Sequence, residues 1–180
     1  MPSEDLPRTA PPSGPRLARI PIRDSGEALV DVRRSAPLRA AGPAYLRHGL
    51  VDRLVTAQSL LPRDVRLLIV DGYRPPERPC PHPACAIDEA GPAAPHPTGG
   101  AVDLTLSEAD EVALPLPACC TGPIPPPEER IGQLLASALV AAGLVGYPAR
   151  WWHWSYGDRF WAWTTQAPHA RYGPLPGHPR

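Results

Sequence analysis

Two stretches of the chain repeat apolar residues every three or four positions, which is the spacing of an amphipathic helix. The first covers residues 43–61 and the second covers residues 127–144. Both begin with a proline, which is favoured in the first turn of a helix, and Glu128 and Glu129 complement the dipole of the second. The pattern predicts two helices with the apolar faces Leu46, Leu50, Leu54, Ala57 and Leu61, and Ile131, Leu134, Leu135, Ala138, Leu139 and Ala142.

Shorter apolar runs between turn residues predict strands. Residues 65–70 are mostly apolar, which is typical of a central strand, and residues 101–106 alternate apolar and polar side chains. Shorter strands are predicted at 28–32, 151–154 and 158–163. Because the helices and strands do not alternate regularly, the predicted fold class is α+β.

A single domain is predicted for residues 19–180, because 180 residues are enough for one hydrophobic core. Residues 1–18 are rich in proline and serine, which predicts a disordered or loosely packed N-terminal arm. The chain contains 28 prolines, and we expect long loops at 75–95 and 107–126.

The charge of the chain gives no support for binding to nucleic acid or to an anionic membrane. Eighteen basic residues, all of them arginine, balance eighteen acidic ones, so the formal net charge is zero. No stretch is long and apolar enough for a membrane span, and residues 1–19 lack the apolar segment of a secretory signal. We therefore expect a cytoplasmic protein with a small-molecule substrate; the sequence gives no oligomeric state.

A histidine and an aspartate stand seven residues apart, on either side of the flexible Gly99-Gly100 pair. Asp103 belongs to the predicted strand 101–106, and the glycines allow the chain to turn so that His96 meets it. An imidazole and a carboxylate are both good zinc ligands. A third ligand must come from elsewhere, and the best candidate is His153 in the tryptophan-rich stretch 151–154.

The four cysteines offer a second, weaker metal hypothesis. Cys80 and Cys85 are the first and last residues of the segment Cys-Pro-His-Pro-Ala-Cys, and Cys119 and Cys120 are adjacent. Together with His82 they could form another zinc site, although the spacing matches no established zinc motif. Reduced thiols in a loop are the favoured interpretation, since a disulfide between Cys80 and Cys85 would require an oxidising compartment.

Three motifs, in this order, resemble those of the D-alanyl-D-alanine dipeptidases, zinc D,D-peptidases whose fold is similar to the hedgehog signalling domain. They are Asp-Gly-Tyr-Arg-Pro at 71–75, His-Pro-Thr-Gly-Gly-Ala-Val-Asp-Leu-Thr-Leu at 96–106, and Trp-Trp-His-Trp-Ser-Tyr-Gly-Asp-Arg at 151–159. The resemblance implies a mainly antiparallel central sheet flanked by helices. It also implies that His96, Asp103 and His153 bind zinc. Arg74 would steady the substrate carbonyl or the oxyanion of the tetrahedral intermediate.

The chain departs from this family at position 150. The family has a glutamate three residues before the final histidine, which serves as general base and then acid, whereas this chain has Arg150. An arginine does not accept a proton at neutral pH, and losing a general base costs roughly 100- to 10,000-fold in rate. Arg150 either turns outward or faces the metal and holds a carboxylate or phosphate there. A separate possibility is that Glu128, Glu129 or another carboxylate folds in as a substitute base.

These observations are compatible with three functions. The first is a zinc hydrolase of D-Ala-D-Ala or a similar dipeptide, in cell-wall metabolism, with a weakened base. The second is a repurposed zinc enzyme of specialised metabolism that carries out a cyclisation, condensation or elimination on a carboxylate-bearing substrate. It is motivated by Arg150 and by a pocket that differs from the family pattern at 75–95 and 114–120. The third is a non-catalytic zinc-binding protein.

Overall fold

The computed structural model describes residues 14–77, 91, 93–108, 111–112, 129–148 and 150–176. Its helices are α1 (Gly14–Ala18), α2 (His48–Ser59), α3 (Glu129–Ala141) and α4 (Arg159–Thr164). Its strands are β1 (Leu29–Asp31), β2 (Arg39–Ala40), β3 (Tyr45–Arg47), β4 (Val65–Asp71), β5 (Ala101–Glu108), β6 (Glu111–Val112), β7 (Val145–Tyr147) and β8 (Arg150–Ser155). Two 3-10 turns cover Val32–Arg34 and His96–Thr98.

The principal sheet of the described residues has the strand order β2-β4-β5-β8-β7, and β6 pairs with β5 beside that path. The sheet is mixed, because β2 runs parallel to β4 whereas the other paired strands are antiparallel. Strands β1 and β3 form a separate antiparallel pair. The α+β class predicted from the sequence is confirmed.

The main core lies between this sheet and helices α2 and α3. The buried side chains that meet there include Leu50, Leu54, Leu67, Ile69, Leu104, Leu106, Leu135 and Leu139. Successive residues of a strand point to opposite faces of its sheet. Because Val102 and Leu104 belong to this core, Asp103 points to the opposite face, where it is nevertheless buried. Strand β5 therefore also contributes a buried polar side chain, Asp103, to the face of the sheet that lies opposite the main core.

The first predicted helix begins later than the sequence pattern indicated. Residues 45–47 form strand β3, which pairs with β1, and α2 starts at His48. Leu46 fits either interpretation because it is fully buried in the strand. The prediction of a helix from residue 43 was wrong because long-range pairing with β1 outweighed the local periodicity.

The strand predicted at 158–163 is a helix. Asp158 caps it, and its Oδ1 accepts a 2.7 Å hydrogen bond from the amide of Trp161. The aromatic residues favoured a strand, but the capping aspartate satisfies an amide that would otherwise be unpaired at the helix start. Helix α4 therefore follows β8 after a turn of three residues.

Three other predictions differ in extent. Strand β5 continues to Glu108 and pairs with β6, where a loop was predicted from residue 107. Residues 14–18 of the predicted N-terminal arm form α1, in which Leu17 is buried. The second helix, α3, covers Glu129–Ala141, while the four cysteines and Glu128 lie outside the described residues. None of the described helices combines the length and apolar character needed to cross a bilayer.

Candidate metal centre

Three buried side chains from separate parts of the chain meet on the polar face of the sheet. His96 lies in the 3-10 turn before β5, Asp103 in β5, and His153 in β8. Their relative exposures are 0%, 8% and 3%, respectively. Burial of three polar groups together is costly unless they pair with one another or bind an ion.

The strand register brings two of them together directly. Asp103 is the cross-strand partner of His153 in the antiparallel pairing of β5 with β8. Residues directly opposite each other on antiparallel strands point to the same face, about 5 Å apart. His96 returns to the same point because the chain turns at Gly99, whose φ of 69° is left-handed. A Cβ at Gly99 would lie only 2.6 Å from Leu29.

The donor atoms lie close enough together to share one small metal ion. His96 Nε2 lies 3.5 Å from Asp103 Oδ2, and His153 Nδ1 lies 2.9 Å from Asp103 Oδ1. One donor atom from each residue fits within 4.8 Å of the others. Tetrahedral zinc, with bonds of about 2.0–2.2 Å, places neighbouring donors roughly 3.3–3.6 Å apart. The three residues could therefore hold a metal ion, and two imidazoles with one carboxylate are a donor set that suits zinc.

The His96 ring is held from behind. Its Nδ1 lies 2.6 Å from the carbonyl oxygen of Gly72, so Nδ1 donates a proton to that oxygen and Nε2 faces Asp103. Outer hydrogen bonds of this kind fix the tautomer and the orientation of metal-binding histidines. A Cβ at residue 72 would lie 2.6 Å from the carbonyl oxygen of Tyr45, so a glycine is required at that point of the turn.

The three groups also interact strongly by charge. Burial opposes protonation of His96, but the charge of Asp103 and the hydrogen bond to it outweigh burial and raise the pKa of His96 to about 9. Burial likewise opposes ionisation of Asp103, but the two histidines outweigh it and hold the pKa of that carboxyl well below its ordinary value. Without a metal, protonated His96 and ionised Asp103 therefore form an ion pair.

Zinc affinity is expected to rise with pH between about 6.5 and 9. Over this range the metal must displace the proton that the raised pKa keeps on His96, so affinity should increase up to about tenfold per pH unit and level off above 9. Chelator competition at several pH values measures this slope, and calorimetry in two buffers counts the released proton. An affinity that does not change between pH 6.5 and 9 would contradict the protonated ion pair.

The same two pKa shifts make the free energy of unfolding of the metal-free protein depend on pH. The raised pKa of His96 means that its contribution is complete below pH 6.5, the ordinary value, and is lost as pH rises towards 9. The lowered pKa of Asp103 means that its contribution is present above its ordinary value of 3.8 and is lost as pH falls below it. The pair therefore stabilises the metal-free fold most between these two ordinary values.

Arg74, a candidate catalytic residue, lies close to the site and is tied to the strand end. Its guanidinium forms an ion pair with Asp71, and its amide donates to the carbonyl oxygen of His96 at 3.3 Å. Its positive charge is among the influences that oppose protonation of His96. The structure thus places in one location both a salt bridge that fastens the turn and a cation beside the first of the three candidate ligands.

Arg150, the second candidate catalytic residue, lies one aromatic ring away from the site. The pairing of β7 with β8 changes register so that Tyr147 opposes Arg150 while Gly146 opposes Trp154. The Arg150 guanidinium stacks 5.6 Å from the centre of the Tyr147 ring, and that ring meets His153 edge-on at 5.9 Å. The Arg150 side chain is half-buried. Its contact with the third candidate ligand is indirect, through the ring of Tyr147.

Comparison with known proteins gives one partial relationship. A curated D-alanyl-D-alanine dipeptidase from Synechocystis sp. is 32% identical to this chain over 96 residues. The match covers 42% of this chain and 39% of the relative, so the chain corresponds to about two fifths of that protein's length. No family model matches the chain.

Sequence reasoning did not anticipate the carboxyl group of Asp158 beside the site. It is 1% exposed, and its Oδ1 accepts the hydrogen bond from the amide of Trp161. Burial raises the pKa of Asp158, while the amide of Trp161, the hydroxyl of Ser155 and the charges of His153 and His96 oppose this. An aspartate directly before a helix is a preferred N-cap residue, so the sequence did contain a sign that Asp158 caps a helix.

Proposed function

We propose that this protein is a zinc-dependent enzyme similar to the D-alanyl-D-alanine dipeptidases, with the hedgehog-like fold of that family. Its substrate would be a small dipeptide or another small molecule that carries a carboxylate. One observation carries the proposal: buried His96, Asp103 and His153 converge so that their donor atoms lie within 4.8 Å. The partial relationship to a dipeptidase supports the reaction class.

The chemistry of the donor set favours zinc over the common alternatives. Magnesium and calcium prefer six or more oxygen ligands, whereas this site offers two ring nitrogens and one carboxylate. Three protein ligands are typical of catalytic rather than structural zinc sites. When bound, zinc would supply a Lewis acid that polarises a carbonyl and makes water more acidic.

Arg74 is the proposed stabiliser of the developing negative charge on the substrate. A guanidinium stays charged at all physiological pH values and presents a rigid set of donors. Its ion pair with Asp71 holds it in place before substrate binds, and such preorganisation is what makes charge stabilisation effective. The residue therefore acts both as a fastener of the turn and as an electrostatic aid.

Replacing Arg74 with methionine is expected to reduce turnover about 100- to 1,000-fold, because one preorganised donor to the developing oxyanion is lost. Zinc affinity should change less than turnover, since Arg74 is not among the proposed ligands. Steady-state kinetics with matched zinc content measures the effect. Arg66→Met, on strand β4, is the control because its guanidinium donates to the carbonyl oxygen of its neighbour Val65. Native turnover in Arg74→Met would leave Arg74 with the fastening role alone.

Within the described residues, no carboxyl group takes the place of the family's general-base glutamate, which is Arg150 in this chain. Two other carboxyl groups lie close enough to influence His96, namely Asp71 and Asp158. Asp71 is committed to its ion pair with Arg74, and Asp158 is fully buried as a helix cap. We therefore expect peptide hydrolysis to be slow in the unmodified protein.

The contact between Arg150 and Tyr147 favours a second candidate function. A cation one aromatic ring away from the third ligand would attract a carboxylate-bearing substrate towards the ion without any need for a proton-accepting side chain. A non-hydrolytic reaction, such as a cyclisation, condensation or elimination, would suit such a site. Under this alternative the arginine contributes to catalysis, whereas under hydrolysis it impairs catalysis.

The decisive experiment combines metal analysis with an activity screen. Purified protein should contain about one zinc ion per chain, and zinc-loaded samples should hydrolyse D-Ala-D-Ala faster than L-Ala-L-Ala. A zinc-stripped sample is the control. Turnover that does not exceed this control would remove the hydrolase and leave the second candidate, while a protein that takes up no zinc would refute both.

A further inference from the structure

Arg47, at the end of β3, is a charged residue almost completely enclosed by the protein. Its relative exposure is 1%, and its guanidinium lies 5.2 Å from the centre of the Tyr172 ring. A buried charge is tolerated only where an opposite charge and hydrogen bonds replace the lost water. The contacts that replace water here therefore indicate what the residue does.

The hydrogen bonds of this guanidinium join three separate parts of the chain to β3, namely residues 24–27, Thr98 and Gly173. Nε donates to the carbonyl oxygen of Thr98 at 2.9 Å, within the turn that carries His96. The terminal nitrogens donate to the Asp24 carboxylate at 2.8 and 3.3 Å. They also donate to the carbonyl oxygens of Glu27 at 2.6 Å and Gly173 at 3.2 Å. A guanidinium has five N–H groups, and this one meets five acceptors.

The backbone of β3 supports the same turn. The amide of Arg47 donates to the carbonyl oxygen of Gly99 at 2.9 Å, so this one residue holds the two peptide groups on either side of Gly99. The carbonyl of Tyr45, two residues earlier, accepts from the amide of Tyr73 at 2.7 Å. That second contact fixes the turn whose Gly72 carbonyl orients the ring of His96. Strand β3 therefore holds both the main chain and the ring of the first proposed ligand.

We propose that Arg47 is a positioning residue of the metal centre, which fixes the 96–99 turn so that His96 presents its Nε2 to the metal. Asp24 and the carbonyl oxygen of Gly173 hold the guanidinium of Arg47 in place by accepting its other hydrogen bonds, and we call these contacts the outer clamp. This inference rests on the proposed zinc site. It makes zinc affinity depend on residues 24 and 173, which are not among the proposed ligands.

A purely structural role is the alternative. In that case variants of Arg47 would lose stability, but those that fold would bind zinc normally and with the same ligand geometry. The positioning role instead predicts weaker binding and altered geometry in folded protein. Affinity and the spectrum of the cobalt-substituted site therefore distinguish the two roles, whereas melting temperature alone does not.

The test uses the full chain and three variants. Arg47→Met removes every donor, Arg47→Lys keeps the charge but loses the planar fork, and Asp24→Asn weakens the outer clamp while Arg47 stays in place. Leu139→Ala is the control for stability, because Leu139 is a fully buried core residue of α3, on the other face of the sheet. Zinc affinity is measured by chelator competition, folding by circular dichroism, and ligand geometry by the visible spectrum after cobalt loading.

Loss of an outer partner of a metal ligand typically weakens binding 10- to 100-fold, and this is the effect expected for Arg47→Met. Arg47→Lys and Asp24→Asn should shift affinity in the same direction by less, and each should alter the cobalt spectrum. Leu139→Ala should lower the melting temperature without either change. If Arg47→Met does not fold, the two milder variants decide the question.

The outcomes separate this inference from the proposed function. A wild-type protein without zinc affinity would overturn the proposed function and the inference together. Wild-type affinity and an unchanged cobalt spectrum in folded Arg47→Lys and Asp24→Asn would overturn the inference alone. In that case Arg47 would be a stabilising residue and the zinc site would be retained.

Discussion

Replacing His96 with alanine is expected to abolish high-affinity zinc binding. The ring supplies one of three proposed ligands, so its loss should exceed the roughly 10- to 100-fold effect of losing an outer partner. The substitution also leaves Asp103 buried with less compensation for its charge, because His96 is the largest influence that lowers the pKa of Asp103. Zinc content after dialysis and chelator competition measure the loss.

The matched control for this experiment is His48→Ala. His48 stands at the start of α2, where its side chain is 63% exposed and pairs with Asp52 across one helical turn. Removing this exposed imidazole should leave zinc affinity unchanged. Equal zinc content in wild type, His48→Ala and His96→Ala would show that the metal, if any, binds elsewhere.

Replacing Arg150 with glutamate is expected to increase peptide hydrolysis roughly 100- to 10,000-fold, the usual contribution of a general base. The change places a carboxylate beside Tyr147, whose ring contacts His153, and removes a cation that cannot accept a proton. Turnover of D-Ala-D-Ala by zinc-loaded wild type and variant measures the gain.

Arg150→Gln separates the base from the charge. Glutamine removes the cation without supplying a proton acceptor, so under the hydrolase proposal it should gain far less activity than the glutamate variant. Under the non-hydrolytic candidate, both substitutions should weaken the binding of a carboxylate ligand such as acetate to the cobalt-loaded protein. Unchanged hydrolysis in Arg150→Glu, together with weaker acetate binding, would favour the second candidate.

The sequence predicted the candidate ligands because their spacing is local or repeats a known motif. His96 and Asp103 flank two glycines, and the structure places Gly99 in the left-handed conformation that lets the chain turn between them. Strand β5 was predicted from its alternation, which correctly placed Asp103 on the face opposite to Leu104. His153 was selected only by its motif, and the cross-strand pairing with Asp103 is a property of the folded sheet.

The sequence could not predict features that depend on distant contacts. Arg47 lay within a predicted helix, yet its side chain forms hydrogen bonds with residues that lie 20 to 126 positions away from it along the chain. The aromatic run after Asp158 favoured a strand, but the structure has a helix there, with Asp158 as its cap and a backbone hydrogen bond from the amide of Ala162 to the carbonyl oxygen of Asp158. Local propensity is a weak guide wherever pairing with a remote segment decides the conformation.

The direct pairing of Asp103 with His153 has a consequence for how the chain acquires its fold. A slip of one residue between β5 and β8 would turn one of these two side chains to the other face of the sheet and separate it from its partner. If the site binds zinc as proposed, only the native alignment presents both side chains to one ion, and zinc would stabilise that alignment over the shifted ones by mass action. The presence of zinc during folding would then favour chains in which β5 and β8 pair in the native register.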